Sequence, residues 1–521
     1  MNFNFKLYKL SVVLFFMLGS VRYAEAQQNT TVTPAALELL NQRSLWKGTS
    51  NAAGLLLDQP FQYSQLSAGY ESYKGNFYRP QLGASGNRQT VQTEGNLFVN
   101  KYYLSGSFSY IRDNIKDANY NASIIDPLRG MPYIIADLNP SNWNNQHYNL
   151  QFSATAPAFN EQWFFGLTGS YKSSSGAKQR DVRTENYYMG IEVVPAVVYS
   201  PAANHHIGLN LRYRNFKEDS HNKNVNTYVD QTYYELLGLG TAITRIGGGT
   251  VSNYEGDALG GEFQYNYHGD VNVFLTADYN EEAEDLQFSF ASPRDGASVL
   301  RKVWNTKLSL QKTAGKLSHF ADFSYYSRTM DGIQYLTQRD NTAAQVGWVT
   351  LFKNIRSTYS TQRAIAQYSL VANRDQEYSW KVNAGVTYEK LNDEYILPNS
   401  VKQAENVLFT LAGKKNFALS EVKTKRLLIG AELSYNSNLS GNYVYGGQHA
   451  DYPTVTGLEQ NDFNYLTSEY VSIAIPLVYS QQLKEESKTN LFVKASGQYV
   501  HTNSFDFHNR HSMSFSLGCN F

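Results

Sequence analysis

Nine times after residue 60, apolar residues recur at alternate positions and end on a tyrosine. The runs are Leu66, Ala68, Tyr70; Leu104, Gly106, Phe108, Tyr110; Phe165, Leu167, Gly169, Tyr171; Leu209, Leu211, Tyr213; and Val273, Leu275, Ala277, Tyr279. They continue with Ala321, Phe323, Tyr325; Val382, Ala384, Val386, Tyr388; Ile429, Ala431, Leu433, Tyr435; and Val493, Ala495, Gly497, Tyr499. Between them lie polar residues such as Ser105, Ser107, Ser109, Asn210, Thr276 and Asn383. A period of two with one apolar and one wet side is the pattern of a β-strand at a boundary between two solvents. Tyrosine at one end of every run suits a membrane interface, where the ring sits at headgroup depth and the hydroxyl stays hydrated. A soluble sandwich has no reason to repeat the same polarity nine times.

The connections before these strands are short, at 99–101, 156–161, 200–205, 268–270, 312–316, 373–377, 417–424 and 481–488. Each follows another alternating strand, for example Tyr148, Leu150, Phe152, Ala154 or Ile473, Ile475, Leu477, Tyr479, so each reads as a hairpin. The connections after the tyrosines are longer, notably 113–145, 218–253, 329–361 and 437–466. Short turns on one side and long loops on the other match the periplasmic and extracellular ends of a bacterial barrel. Nine tyrosine strands and nine returning strands predict an all-β, antiparallel up-and-down transmembrane barrel of about 18 strands, within a range of about 14 to 20. The tyrosine intervals of 40, 61, 42, 66, 46, 63, 47 and 64 residues make long and short outer loops alternate.

The last eleven residues, 511–521, read HSMSFSLGCNF. Met513, Phe515, Leu517, Cys519 and Phe521 share one side, and serine, glycine and asparagine the other. A terminal strand of this form resembles the C-terminal signal of Gram-negative outer-membrane β-barrel proteins. That resemblance implies recognition by the barrel assembly machinery through Met513, Phe515, Leu517 and Phe521, closure against the first strand, and contact with outer-membrane lipid and lipopolysaccharide. As a whole the chain resembles uncharacterised outer-membrane barrel families of unknown function, which implies a cell outer-membrane location without naming a substrate.

Lys6 and Lys9, the apolar run 10–18 and Ala24-Glu25-Ala26 have the order of a secretory signal peptide, so residues 1–26 are expected to be removed. Residues 27–60 lack the strand period. Thr33 and Pro34 open a short helix carrying Leu37 and Leu40, which predicts a periplasmic or lumen-plugging segment ahead of a barrel over 61–521. Within it, Asn51-Ala52-Ala53-Gly54-Leu55 resembles the Asn-Pro-Ala-Gly hatch of the long-chain fatty-acid transporter family, with Ala52 in the proline's place. A TonB-dependent receptor would carry a plug domain of well over about a hundred residues ahead of about 22 strands. Only about 34 residues lie between the expected cleavage site and residue 61, so that class is not expected.

Lysine plus arginine and aspartate plus glutamate balance at 45 each, which gives no electrostatic bias toward nucleic acid. Cys519 is the only cysteine, so neither an internal disulfide nor a cysteine-built metal site is expected, and no cofactor is called for. Arg212, Arg214, Glu262, Asp278, Lys307, Lys381, Glu432 and Lys494 fall on the wet side of their strands and are candidates for tuning the selectivity of a lumen. The alternative for them is mutual pairing, or pairing with the N-terminal segment, that holds the interior shut.

No serine with an orienting carboxylate accompanies His319, His501, His508 or His511, so no enzyme is expected. The run Arg245 to Thr250 lacks the ending of a phosphate loop, and the acidic run 281–285 lacks a calcium-loop spacing. The expected function is a passive, porin-like channel for small polar solutes. The alternative is a non-conducting accessory barrel that binds another outer-membrane protein or a lipoprotein, and a transporter of hydrophobic substrates ranks behind both.

Overall fold

In the computed structural model, residues 32–58, 60–226, 228–247, 249–289, 292–340, 347–420, 424–483 and 489–521 are described. The expected signal peptide lies outside them. In chain order the strands are β1 (Tyr63–Gly75), β2 (Ser85–Val99), β3 (Tyr102–Ala118), β4 (Ile135–Asp137), β5 (Ser141–Thr155), β6 (Trp163–Lys178) and β7 (Arg183–Ala202). They continue with β8 (His205–Lys223), β9 (Thr232–Gly238), β10 (Thr241–Ile246), β11 (Val251–Tyr267), β12 (Asn272–Phe288), β13 (Arg294–Ala314) and β14 (Leu317–Asp340). The last are β15 (Gly347–Arg374), β16 (Glu377–Tyr395), β17 (Ser400–Ala418), β18 (Lys425–Val444), β19 (Tyr470–Gln482), β20 (Asn490–His501) and β21 (Asn509–Asn520).

Eighteen of these form one antiparallel sheet that closes on itself, while β4, β9 and β10 form a separate three-stranded sheet. Closure joins β21 to β1, with Leu66 opposite Cys519, Ala68 opposite Leu517 and Tyr70 opposite Phe515. Phe521 exchanges both backbone hydrogen bonds with Ser64, at 2.7 and 2.9 Å. The chain is therefore an all-β up-and-down barrel of 18 strands. Its edge problem is solved by ring closure, which satisfies every strand from both sides.

The outward row is the apolar one. Leu211, Phe165, Phe323, Leu433 and Ile475 are exposed on the outer face, and Tyr70, Tyr213, Tyr325, Tyr435 and Tyr499 stand exposed above them. Exposure of this many large apolar side chains in a continuous belt is stable where the surrounding solvent is lipid. No helix among the described residues is long and apolar enough to cross a membrane, and the crossing elements are strands.

Three of the four long outer connections fold back over the mouth. The fourth, 329–361, differs from the loop expected there: β14 and β15 run on as one hairpin to Asp340 and from Gly347. β13 pairs with β14 only as far as Gln334, and β16 with β15 only from Ser357, so the outer part of this hairpin pairs with itself alone. Strand alternation continues past the tyrosine level because Tyr335, Thr337, Trp348, Val349 and Thr350 are all strand formers. The acidic run 281–285 lies inside β12, where alternation sends Glu282 and Glu284 inward.

Candidate functional site

The lumen is closed at its short-turn end by residues 32–58. Pro34–Arg43 forms helix α1, with Thr33 as N-cap: its hydroxyl accepts from Ala36 N at 3.2 Å and donates to Glu377 Oε1 at 2.8 Å. One side of α1 buries Ala35 and Leu39 against Phe320, Val371, Tyr378 and Leu428 of the wall. On the same face, Glu38 accepts from Lys381 at 3.2 Å, Lys414 at 3.0 Å and the Tyr378 hydroxyl at 2.9 Å. Burial pushes the Glu38 carboxyl up, but Lys414 and Lys381 outweigh it and hold it below the usual carboxylate range.

Further along the segment, Trp46 is wholly buried, edge-on to Phe274 at 5.0 Å, and donates through Nε1 to Asn266 at 3.2 Å. Asn51 caps the 3-10 turn Ala52–Leu57 by accepting from Ala53 N, and donates to Gln264 Oε1 at 2.8 Å. The wall is thinned to receive this turn. A Cβ on Gly166 would lie 2.3 Å from Ala53 N, and one on Gly208 would lie 2.4 Å from Gln264 Oε1.

The outer end is closed by a cap in two parts. The first consists of residues 119–134 and the β4–β9–β10 sheet. Ile124, Met131, Tyr133, Ile134, Tyr234 and Leu236 form one buried cluster with Tyr254, Leu286, Val299 and Met330 of the wall. Arg129 anchors this part: it pairs with Glu218 and, at 2.7 Å, with Glu284, both carboxylates being fully buried. Arg301 bonds Glu282 and Glu284 at 2.6 Å each, and Arg214 also pairs with Glu282. Three arginines thus face three glutamates, of which Glu218 and Glu284 are wholly buried, where unpaired charge would cost most.

The second part of the cap is residues 445–469, including helix α2 (Gln460–Leu466). Asp462 takes Arg79 at 2.5 and 2.9 Å and Lys402 at 3.0 Å, while Lys402 also reaches Glu459 at 2.6 Å. Burial pushes the Asp462 carboxyl up, but Lys402 and Arg79 outweigh it and hold it at about 2. The two parts meet along a seam where Thr454 Oγ1 donates to Gly240 O at 2.7 Å and Leu458 enters the apolar cluster of the first part.

The eight wet-side candidates are distributed along this interior. Arg212, Glu262 and Asp278 come together around the plug. Arg212 donates to Asp278 at 3.3 Å and to Ser50 Oγ at 3.0 Å, and Ser50 donates to Glu262 at 3.0 Å. Arg214 belongs to the cap anchor, and Lys381 to Glu38. Lys307 pairs with Asp322 at 3.2 Å, with both side chains open to water. Glu432 is exposed, and Lys494 lies over the Phe492 ring at 4.6 Å. Of the histidines considered, His319 bonds the Tyr368 hydroxyl at 2.7 Å and His501 stacks on Tyr499.

Arg129, Arg301 and Glu218 are absent from the candidates read from the sequence, and Glu284 enters there only within the acidic run. Arg301 and the glutamates stood on inward positions and were recoverable by extending the strand period. Arg129 lies in an aperiodic loop and carried no signal.

Architecture and interior together define an outer-membrane-type β-barrel whose lumen is occupied at both ends by segments of its own chain. The chain belongs to a family of unknown function, DUF6850, whose model matches residues 52–521. No curated protein matches the sequence. Among solved structures, it is similar to a Pseudomonas aeruginosa FadL homologue at 11% identity and a TM-score of 0.34, covering 92% of this chain and 95% of that one. It is also similar to BauA, the ferric preacinetobactin receptor from Acinetobacter baumannii, at 8% identity and a TM-score of 0.42, covering 88% and 80%. The ferric yersiniabactin uptake receptor FyuA from Yersinia pestis gives 8% identity and a TM-score of 0.42, with the same coverage.

Proposed function

We propose that this barrel resides in the outer membrane as a gated conduit for small polar solutes, closed at rest by residues 32–58 and by the two-part cap. The observation that carries this reading is the exposed surface kept by charged pairs inside the barrel. The lumenal pair Lys307–Asp322 keeps 46 and 36% of its side-chain surface exposed although it lies within the apolar span, and Arg363–Glu389, level with the tyrosine row, keeps 44 and 33%. A barrel sealed for stability alone gains nothing from hydrated charge at that depth. The closures are chain segments docked on the wall, so they can leave it without breaking the ladder.

In this reading the protein is not an enzyme and needs no cofactor. Lipid and lipopolysaccharide cover the belt, and β21 is what the assembly machinery reads. Planar-bilayer recording tests the conduit. The full chain should be mostly silent with brief steps under voltage, and the Thr33→Ala, Glu38→Ala double variant should open more often. If neither gives any step while heat-modifiable gel mobility reports a folded barrel, the conduit reading is wrong.

One observation favours a second reading, an accessory barrel that binds a partner at the cell surface. The self-paired outer part of the β14–β15 hairpin exposes Leu336, Leu351 and Phe352 beyond the tyrosine level. Exposed apolar residues on a hairpin with free edges are suited to protein contact. A stable companion recovered from native membranes through the full chain, and lost with Leu351→Asp, would support it.

A further inference from the structure

The N-terminal plug does not fill the lumen evenly. On the side of β2, β3, β5 and β6 it leaves a cavity of about 230 Å³, bounded by the wall and by the plug residues Lys47, Thr49, Asn51, Ala52 and Leu55. At about 30 Å³ per water molecule, the space equals roughly seven or eight waters, the room of a monosaccharide. We infer that this chamber is a binding site for an uncharged polyhydroxylated solute of that size.

The first argument is chemical. The wall of the chamber presents Ser105, Ser107, Gln151, Ser153, Thr168 and Asn96. Hydroxyls and carboxamides each both donate and accept, which matches a ligand whose every hydroxyl does the same. An apolar ligand finds little here, because Ala52, Leu55 and two glycines are the non-polar part of the lining.

The second argument is electrostatic. The lining contains one cation and one carboxylate, and Tyr63 joins them: Lys47 Nζ donates to the Tyr63 hydroxyl at 3.0 Å, and that hydroxyl donates to Glu94 Oε1 at 2.9 Å. The two charges cancel within the chamber. An ionic solute would give up its hydration without gaining a counter-charge, whereas a neutral one replaces its water hydrogen bonds with those of the wall.

The third argument concerns the gate. The chamber has the wall on one side and the plug on the other, and the plug turn is tied to the same wall by the Thr155 hydroxyl, which donates to Ala52 O at 2.5 Å. An occupant therefore bridges the movable segment and the fixed one, and mass action favours the docked plug while it is bound. The inference names the solute class of the proposed conduit; it rests on that reading for passage of the solute, but not for its binding.

Isothermal titration of the full-length chain in detergent tests it, with glucose, N-acetylglucosamine, sorbitol and maltose as neutral probes and glucuronate and glucosamine as charged ones. At least one neutral probe should bind at least tenfold more tightly than either charged probe. Ser107→Val and Gln151→Leu should each weaken it at least fivefold, and hydrogen exchange of residues 45–55 should slow on binding. The inference is overturned if no neutral probe binds the folded barrel, if the charged probes bind equally well, or if both variants bind unchanged. Silence in planar bilayers together with sugar binding would remove the conduit and leave the site.

Discussion

The two closures of this barrel are built on different physics. The plug at the short-turn end is held by small apolar contacts and by Glu38, whose ion pairs keep more than a quarter of their side-chain surface in water on Glu38 and Lys414. The first part of the outer cap is held by a large apolar cluster and by carboxylates with no exposure at all, each facing an arginine. Pairs with a quarter of their surface in water cost less to break than wholly buried ones, because water replaces part of the lost partner. Dry pairs must leave together or not at all. In the conduit proposed above, the plug is the closure that costs less to undock, and the seam is where the two parts of the cap separate while each keeps its own anchor.

The largest test of that difference is Arg129→Ala. It strands Glu218 and leaves Glu284 to Arg301 alone, which should destabilise the docked state of residues 119–134 by about 3–5 kcal/mol. Hydrogen exchange of that loop should accelerate while the plug stays protected; equal loosening of both closures would merge them into one unit. Next is Gly208→Val, which places a side chain where Gln264 and Trp46 stand. Overpacking of this kind costs about 1–3 kcal/mol, so residues 45–58 should become sensitive to added protease with the cap unaffected.

Acid sharpens the comparison within the cap. The Asp462 carboxyl is held at about 2, below its value in an unfolded chain, so its contribution is complete above the ordinary carboxylate range and is lost as pH falls toward 2. Protection of residues 445–469 should decline between about pH 4 and pH 2, and Asp462→Asn should remove that dependence. The smallest effect is expected from Thr33→Ala, which deletes the helix cap and the bond to Glu377. A loss of about 1 kcal/mol should appear as faster exchange confined to α1.

The barrel was legible in the sequence because a bilayer imposes a strict period of two, and nine tyrosines mark one interface of it. Strand number, pairing order and the closing contact between the strand of Tyr70 and that of Phe515 all follow from alternation and turn length. The closures were legible only as composition. Thr33 meets Glu377 and Ser50 meets Glu262, separations over which no periodicity survives, so the pairing of lumen charges with the plug was visible only as an alternative. The β14–β15 hairpin was read as a loop because strand signals beyond the tyrosine level have no apolar solvent to enforce alternation. The acidic run in β12 was read by its composition, when its phase within the strand decides the matter: Glu282 and Glu284 face arginines and Glu281 faces outward toward Lys302.

The pairing of Ser64 with Phe521 also sets the order of events in biogenesis. Hairpins can form as the chain is delivered, but the ring is complete only when residues more than 400 positions apart meet. Loop-closure entropy grows only slowly with length, so the delay is kinetic more than thermodynamic. Until that moment the sheet has two open margins, each able to pair with a neighbouring chain. A chain lacking β21 would have seventeen strands, β1 and β20 each with an unpaired edge, and the cell would meet it as a sticky, degradable sheet rather than as a slightly smaller pore.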